Sequence, residues 1–168
     1  FQSRVCVQIN SGTFPNGAEV AWNEVVNDPF VSRPEDNFNI TAAVGTVGAT
    51  VRFHDNCVRG GCPSRPYDVI TWSGSGFVVE GATQYLDIDD NQVIGVANIG
   101  IGLAGGSNIN VRRNRLVSAG NAYGKPYLAR NRAAYSTAVG ATYVVWQDNA
   151  YSWVDASNNQ VGLWITNA

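Results

Sequence analysis

Two segments of the chain combine the aromatic and charged residue types that bind carbohydrate. Segment 60–75 carries Arg65, Tyr67, Asp68 and Trp72, and segment 118–132 carries Tyr123, Lys125, Tyr127 and Arg130. Aromatic rings contact the apolar faces of sugars, and arginine or lysine pairs with uronate carboxylates. The alternative is that these aromatic side chains fold down and anchor their own long loops. The candidate substrate-binding residues are Arg65, Tyr67, Trp72, Tyr123 and Tyr127.

Carboxylates and the single histidine form a second group of ionisable residues. Asp89 and Asp90 are adjacent, and Asp90 shares its position in a repeat with Asp55 and Asp148. Because carboxylate pairs perform acid–base chemistry on glycosidic bonds, Asp89 is a candidate catalytic residue. The repeat itself favours structural ion pairs for Asp89 and His54. No histidine or cysteine pair has the spacing of metal ligands, so we predict no metal site and no cofactor.

These residues belong to a repeat of about 22 residues that is centred on one asparagine. The central residues, at position 0, are Asn23, Asn56, Asn91, Asn114 and Asn149. Apolar residues occupy positions −5 (Ala18, Val51, Leu86, Ile109, Val144), −3 (Val20, Phe53, Ile88, Val111, Trp146) and +2 (Val25, Val58, Val93, Leu116, Tyr151). Alternating apolar positions predict strands with one buried face. A repeat of this length predicts units that stack and bury that face against their neighbours.

The polar positions −4 and −2 support the same alignment. If successive units stack as parallel strands, the neighbours are Glu19 with Arg52, Arg52 with Asp87, and Asp89 with both His54 and Arg112. Opposite charges on neighbouring strands stabilise such a stack. We also expect the five asparagines to bond to one another along the stack and to adopt the left-handed backbone conformation at a turn.

Segment 85–120 contains an Asn-capped strand, a Gly-Ile-Gly strand and a second Asn-capped strand, YLDIDDNQVIGVANIGIGLAGGSNINVRRNRLVSAG. In this form the repeat resembles the pectate-lyase-like superfamily of right-handed parallel β-helix proteins. The resemblance covers roughly residues 4–165. It implies an all-β fold, a right-handed parallel β-helix (solenoid) of about five to six coils with long loops on one side.

Members of that superfamily are mostly extracellular lyases, hydrolases and epimerases that act on acidic polysaccharides, together with phage tailspikes and adhesins. The resemblance therefore implies a secreted or cell-surface protein. In a lyase of this kind Lys125 and Arg130 would be the candidate bases, and Asp68 joins Asp89 among the carboxylates to test. Such lyases also use acidic calcium ligands, so the resemblance leaves calcium open as a cofactor, although no motif in this chain supports it.

Composition limits the classes of partner. A net charge of −2 gives no basic surface for nucleic acid, and the most apolar stretch, 93–106, is too short and glycine-rich to span a membrane. The chain has no methionine, so we interpret residues 1–168 as one domain of a processed or longer protein. The spacing of Cys57 and Cys62 suggests a disulfide, which would leave Cys6 over.

The sequence thus predicts a polysaccharide-active or polysaccharide-binding β-helix of lyase, hydrolase or epimerase type. The alternative is a structural segment of a spike, fibre or adhesin. Such a segment would associate with other chains through the uncapped ends of its solenoid, because open strand edges are templates for further pairing.

Overall fold

The computed structural model describes residues 5–28, 32, 34–61, 74–96, 98–118, 132–136, 140–154, 159–160 and 164–165. Within these ranges the chain is all-β, with sixteen strands and no helix. The strands are β1 (Val5–Thr13), β2 (Ala18–Ala21), β3 (Glu24–Val26), β4 (Asp36–Val44), β5 (Val51–His54), β6 (Cys57–Arg59), β7 (Ser75–Glu80), β8 (Gln84–Asp89), β9 (Gln92–Ile94), β10 (Ile99–Leu103), β11 (Gly106–Arg112), β12 (Arg115–Ser118), β13 (Arg132–Ser136), β14 (Ala141–Gln147), β15 (Ala150–Trp153) and β16 (Trp164–Ile165).

Each strand from β1 to β13 pairs in parallel with the strand three places later in the chain. This pairing produces three stacks, β1-β4-β7-β10-β13-β16, β2-β5-β8-β11-β14 and β3-β6-β9-β12-β15. A pairing between Val44 and Gln84 joins the first two stacks into one eleven-stranded sheet, and the third stack is a separate five-stranded sheet.

The predicted alignment of the repeats is confirmed residue by residue. At position −3, Val20, Phe53, Ile88, Val111 and Trp146 are successive partners in the second stack. The residues at position −5 pair in the same way, and those at position +2 pair along the third stack. The distance from the central asparagine was sufficient to predict which residues pair, because no residue is inserted between positions −5 and +2 in any unit.

The apolar positions form one core between the stacks. Phe38, Phe53 and Phe77 are fully buried at its centre. The rings of Phe38 and Phe77 stack with their centroids 4.5 Å apart, and Phe53 meets both edge-on at 6.0 and 6.3 Å. Gly76 lies beside this cluster, where a Cβ would be 2.4 Å from the carbonyl oxygen of Gly100, so close packing of β7 on β10 requires glycine.

The central asparagines bond to one another, as predicted. The Oδ1 atom of Asn91 accepts bonds from the backbone N–H and the Nδ2 of Asn56, both at 3.0 Å, and Asn91 donates in the same way to Asn114. Asn23 and Asn149 complete this Asn ladder at its two ends.

The predicted backbone conformation of the asparagines is wrong. The left-handed residue is the one before each asparagine, with φ between 52° and 61° at Trp22, Asp55, Asp90, Arg113 and Asp148. The chain turns from the second stack into the third at this residue. This leaves the asparagine free to point its amide along the stack.

The cysteine prediction is also corrected. Cys57 is a free thiol, as is Cys6, so the suggested disulfide of Cys57 is not formed. Val58 is fully buried on β6, so its neighbour Cys57 points to the opposite face of the strand, with Glu24 and Gln92 as its pairing partners. Cys62 lies outside the described residues.

Candidate functional site

The polar face of the second stack carries a network of ion pairs. Oδ2 of Asp89 accepts hydrogen bonds from Arg52 and Arg113, both at 3.0 Å, and Arg112 donates to Asp87 at 3.4 Å. Asp89 is only 2% exposed although it lies on this outward face. The two arginine side chains that bond to it are 43% and 47% exposed.

These contacts correct the predicted partners. The alignment is right, but the ion pairs run diagonally between positions −4 and −2 instead of along one position. A guanidinium on a long side chain extends past the neighbouring residue about 4.8 Å away on the next strand. Arg52 therefore bonds to Asp89 and not to its pairing partner Asp87.

His54 is held between two carboxylates. Its Nε2 lies 2.6 Å from Glu19 and its Nδ1 lies 2.8 Å from Asp55. The hydrogen bond to Asp55 raises the pKa of His54 above its ordinary value; desolvation opposes the shift and the bond to Glu19 adds to it. The indole of Trp22 meets the imidazole edge-on with centroids 6.3 Å apart.

The left-handed residues form a row along the turn between the second and third stacks. We call Trp22, Asp55, Asp90, Arg113 and Asp148 the turn row. Because the Asn ladder fixes the neighbouring residue in each unit, the spacing of the row follows the strand spacing of about 4.8 Å. Trp22 is 77% exposed, so its ring is a free apolar surface at one end of the row.

A cleft of about 540 Å³ opens over the row. This turn cleft is lined by Asp55, Asp90, Gln92, Arg113, Asn114, Arg115, Asp148 and Ala150. Its lining consists of the turn row without Trp22, residues of position +1 on β9, β12 and β15, and one residue of the Asn ladder. Side chains on two sides of a rigid turn thus face one shared space.

Two of the carboxylates in the turn cleft already have partners. Arg113 bonds to both oxygens of Asp90, from Nε at 2.9 Å and from Nη2 at 2.7 Å. This pairing holds the pKa of Asp90 below its usual range and raises the pKa of Arg113. Asp55 is bound to His54. By contrast, Asp148 and Arg115 make no side-chain hydrogen bond or ion pair within the described part of the chain.

A second pair of carboxylates lies on the first stack, away from the turn cleft. The Nδ2 of Asn39 donates to Asp36 at 3.1 Å and to Glu80 at 3.3 Å. Burial raises the pKa of the Asp36 carboxyl, and the hydrogen bonds from Asn39 and Ser75 oppose this shift. The arrangement buries one acid beside an exposed one, linked through an amide.

Most of the predicted site residues lie outside the described residues. These are Arg65, Tyr67, Asp68, Trp72, Tyr123, Lys125, Tyr127 and Arg130. Asp89 is described; it is buried in the ion-pair network and does not line the turn cleft. Sequence reasoning selected none of the residues that line the turn cleft, and those it missed include Arg115 and Asp148 in the cleft and Trp22 at the end of the turn row. The repeat holds the signal for two of them, because Trp22 and Asp148 precede the central asparagine directly, as Asp55 and Asp90 do.

No group of three histidine, cysteine or acidic residues among the described residues is arranged to hold a metal ion. The same part of the chain contains no helix with the length and apolarity needed to cross a membrane. Comparison of the chain with family models, with curated proteins and with solved structures finds no match in any of the three.

Proposed function

We propose that this chain is a right-handed parallel β-helix of about five to six coils that binds a polysaccharide outside the cell. The parallel pairing of each strand with the strand three places later supports this fold, because three strands would then complete one coil. Crossover connections between parallel strands are usually right-handed. The resemblance of the repeat to the pectate-lyase-like superfamily supports both the extracellular setting and the class of ligand.

The observation that carries the proposal is the turn cleft beside an exposed tryptophan. A sugar ring presents apolar C–H faces and a rim of hydroxyl groups. The exposed ring of Trp22 can contact the apolar faces. The carboxylate, guanidinium and amide groups of the cleft can form hydrogen bonds with the hydroxyl groups. The row runs along the stack, so an extended polymer can contact several successive units.

Trp22 also has a conformation that folding alone does not favour. A bulky residue with a φ of 61° is strained, and a ring that is 77% exposed regains little of that energy by burial. The exposed position of this strained aromatic residue favours a binding role. Cleavage of the polysaccharide by Asp89, or by Lys125, Arg130 or Asp68, stays a prediction.

The test is a panel of soluble polysaccharides that includes alginate, pectate, xylan and rhamnogalacturonan. Each polymer is scored for binding and for depolymerisation, with and without calcium. We expect at least one polymer to bind, and we expect Trp22→Ala to weaken that binding about tenfold or more. Tyr143→Ala is the matched control, because Tyr143 is also left-handed and 81% exposed but does not belong to the turn row. Absence of binding to every polymer would reject the proposal.

A second candidate is a structural segment of a spike, fibre or adhesin. It is favoured by the position +2 residues, which are buried at Val58 and Val93 but 45% exposed at Tyr151 on β15. Another chain that packs on β15 would bury this ring. Sedimentation equilibrium over a wide range of protein concentration tests the idea, and a strictly monomeric protein would contradict it.

A further inference from the structure

We infer that the turn cleft selects a neutral glycan over a polyuronate. This inference rests on the proposed function and narrows it to one class of ligand. It is argued from the charges and the free hydrogen-bonding groups of the cleft.

The charged groups of the cleft are unfavourable for a polymer with a carboxylate on every sugar. Three carboxylates, Asp55, Asp90 and Asp148, face two guanidiniums, Arg113 and Arg115. The Nε and Nη2 atoms of Arg113 already bond to Asp90 and Asp89, so the charge of this guanidinium is compensated by two carboxylates of the protein. Among the described cleft residues, Arg115 is the guanidinium whose charge no carboxylate compensates, and the next uronate along the row would face a carboxylate of the protein.

The free groups instead match the hydroxyls of a neutral sugar. Asp148 can accept two hydroxyl protons, Arg115 can donate to hydroxyl oxygens, and the amide of Gln92 can do both. Asp148 and Arg115, which have no side-chain partner among the described residues, carry opposite charges and together attract neither an anionic nor a cationic ligand. These two groups favour a ligand that both donates and accepts hydrogen bonds along the same edge, as the adjacent hydroxyl groups of a sugar ring do.

This selectivity limits the chemistry available at the turn cleft. Elimination and C5 epimerisation both begin with removal of the C5 proton, which is acidic only because a uronate carboxyl group is attached to C5. A neutral glycan has no such group. The turn cleft is therefore a site for binding or hydrolysis, and lyase or epimerase chemistry would need a different site on the protein.

Carboxyl reduction provides the decisive comparison, because it converts each uronate into the corresponding neutral sugar and leaves the linkages unchanged. We would titrate the intact chain with polygalacturonate, with alginate and with the carboxyl-reduced form of each, by calorimetry at low salt, alongside xylan and a neutral galactan. We expect a neutral polymer to bind at least tenfold more tightly than its acidic parent. Asp148→Asn should reduce this preference, and Arg115→Gln should weaken binding of the neutral polymer.

The outcomes separate the two proposals. Tighter binding of the acidic parents would overturn the preference for neutral glycans and leave the proposed polysaccharide binding intact. Binding that is unchanged in both Asp148→Asn and Arg115→Gln would show that the ligand lies elsewhere and would also overturn the inference. No binding of any acidic or neutral polymer would reject the proposed function itself.

Discussion

Removal of one asparagine from the middle of the Asn ladder should strongly destabilise the fold. The side chain of Asn91 is fully buried and takes part in bonds on both sides. Its Oδ1 accepts from the N–H and Nδ2 of Asn56 at 3.0 Å, and its Nδ2 donates to the carbonyl of Phe53 at 2.8 Å and to Oδ1 of Asn114 at 3.0 Å. Alanine at this position can replace none of these bonds.

The expected cost follows from the groups that lose their partner. In Asn91→Ala the N–H and one Nδ2 hydrogen of Asn56 become unpaired, and Asn56 is only 1% exposed, so water cannot replace the lost acceptor. A buried polar group without a partner costs about 1–3 kcal/mol. With partial relaxation of the chain, we expect the free energy of unfolding to fall by about 3 kcal/mol. The free energy of unfolding of a domain is about 5–15 kcal/mol, so the variant should still fold.

The control is the same substitution at the end of the ladder. Asn23 is exposed, and its Nδ2 donates to Oδ1 of Asn56 and to the carbonyl of Ala21. In Asn23→Ala, Oδ1 of Asn56 keeps the bond from the backbone N–H of residue 23. We expect this variant to lose less than about 1 kcal/mol. Urea unfolding followed by tryptophan fluorescence measures both, with the denaturant slope checked for constancy. Equal losses of unfolding free energy in the two variants would refute the reasoning, which makes the contribution of a ladder asparagine to stability depend on its burial.

Three further predictions concern the ion pairs and the close packing. Because the pKa of His54 is raised above 6.5 in the folded state, its contribution to stability should be complete below about pH 6.5 and should disappear as pH rises through the folded pKa. The free energy of unfolding, measured between pH 5.5 and 9, should show this dependence in the native protein but not in His54→Gln. The NMR signal of this single histidine reports its pKa. Asp89→Asn should lower the free energy of unfolding by about 2 kcal/mol, because it leaves two arginines without a buried carboxylate. Asp148→Asn, on the exposed turn, should change it by less than about 0.5 kcal/mol. Similar losses in the two variants, measured by chemical denaturation, would contradict the proposed network. Gly76→Ala should lower the free energy of unfolding by about 1–3 kcal/mol through contact with the Gly100 carbonyl, and Gly48→Ala, with no atom within 4 Å of the added methyl, should leave the melting temperature unchanged.

The alignment of the strands could be predicted because a physical constraint repeats in every unit. Each central asparagine must meet its equivalent, so the residues from −5 to +2 keep a constant distance from it and pair in order. The diagonal ion pairs could not be predicted from this alignment, because the length of the arginine side chain and not the backbone decides which carboxylate it contacts. The left-handed residue was placed one position too late, since asparagine tolerates that conformation but here serves as the bonding residue.

The turn cleft was harder to predict than the stack. Its residues are scattered over β5 to β15 and differ in type from unit to unit, so only their position relative to asparagine connects them. Asp55, Asp90 and Asp148 could be recognised as one set, but the exposure of Trp22 and the lack of a partner for Arg115 among the described residues depend on side-chain packing. Candidates in the segments 60–75 and 118–132 were chosen by residue type alone, because the repeat does not extend into segments of variable length.

The Asn ladder and the turn cleft are coupled, because three of the five units place a ladder residue between two cleft residues. Asn91 stands between Asp90 and Gln92, and Asn114 stands between Arg113 and Arg115. A buried asparagine with fixed partners therefore holds the backbone of the side chains that would meet a glycan, which is the rigid support that a precise binding site needs. A ligand in the turn cleft should raise the melting temperature of the native protein by mass action. The same ligand should bind Asn91→Ala more weakly even though Asn91 touches no ligand, because the variant loses the support and keeps every group in the cleft.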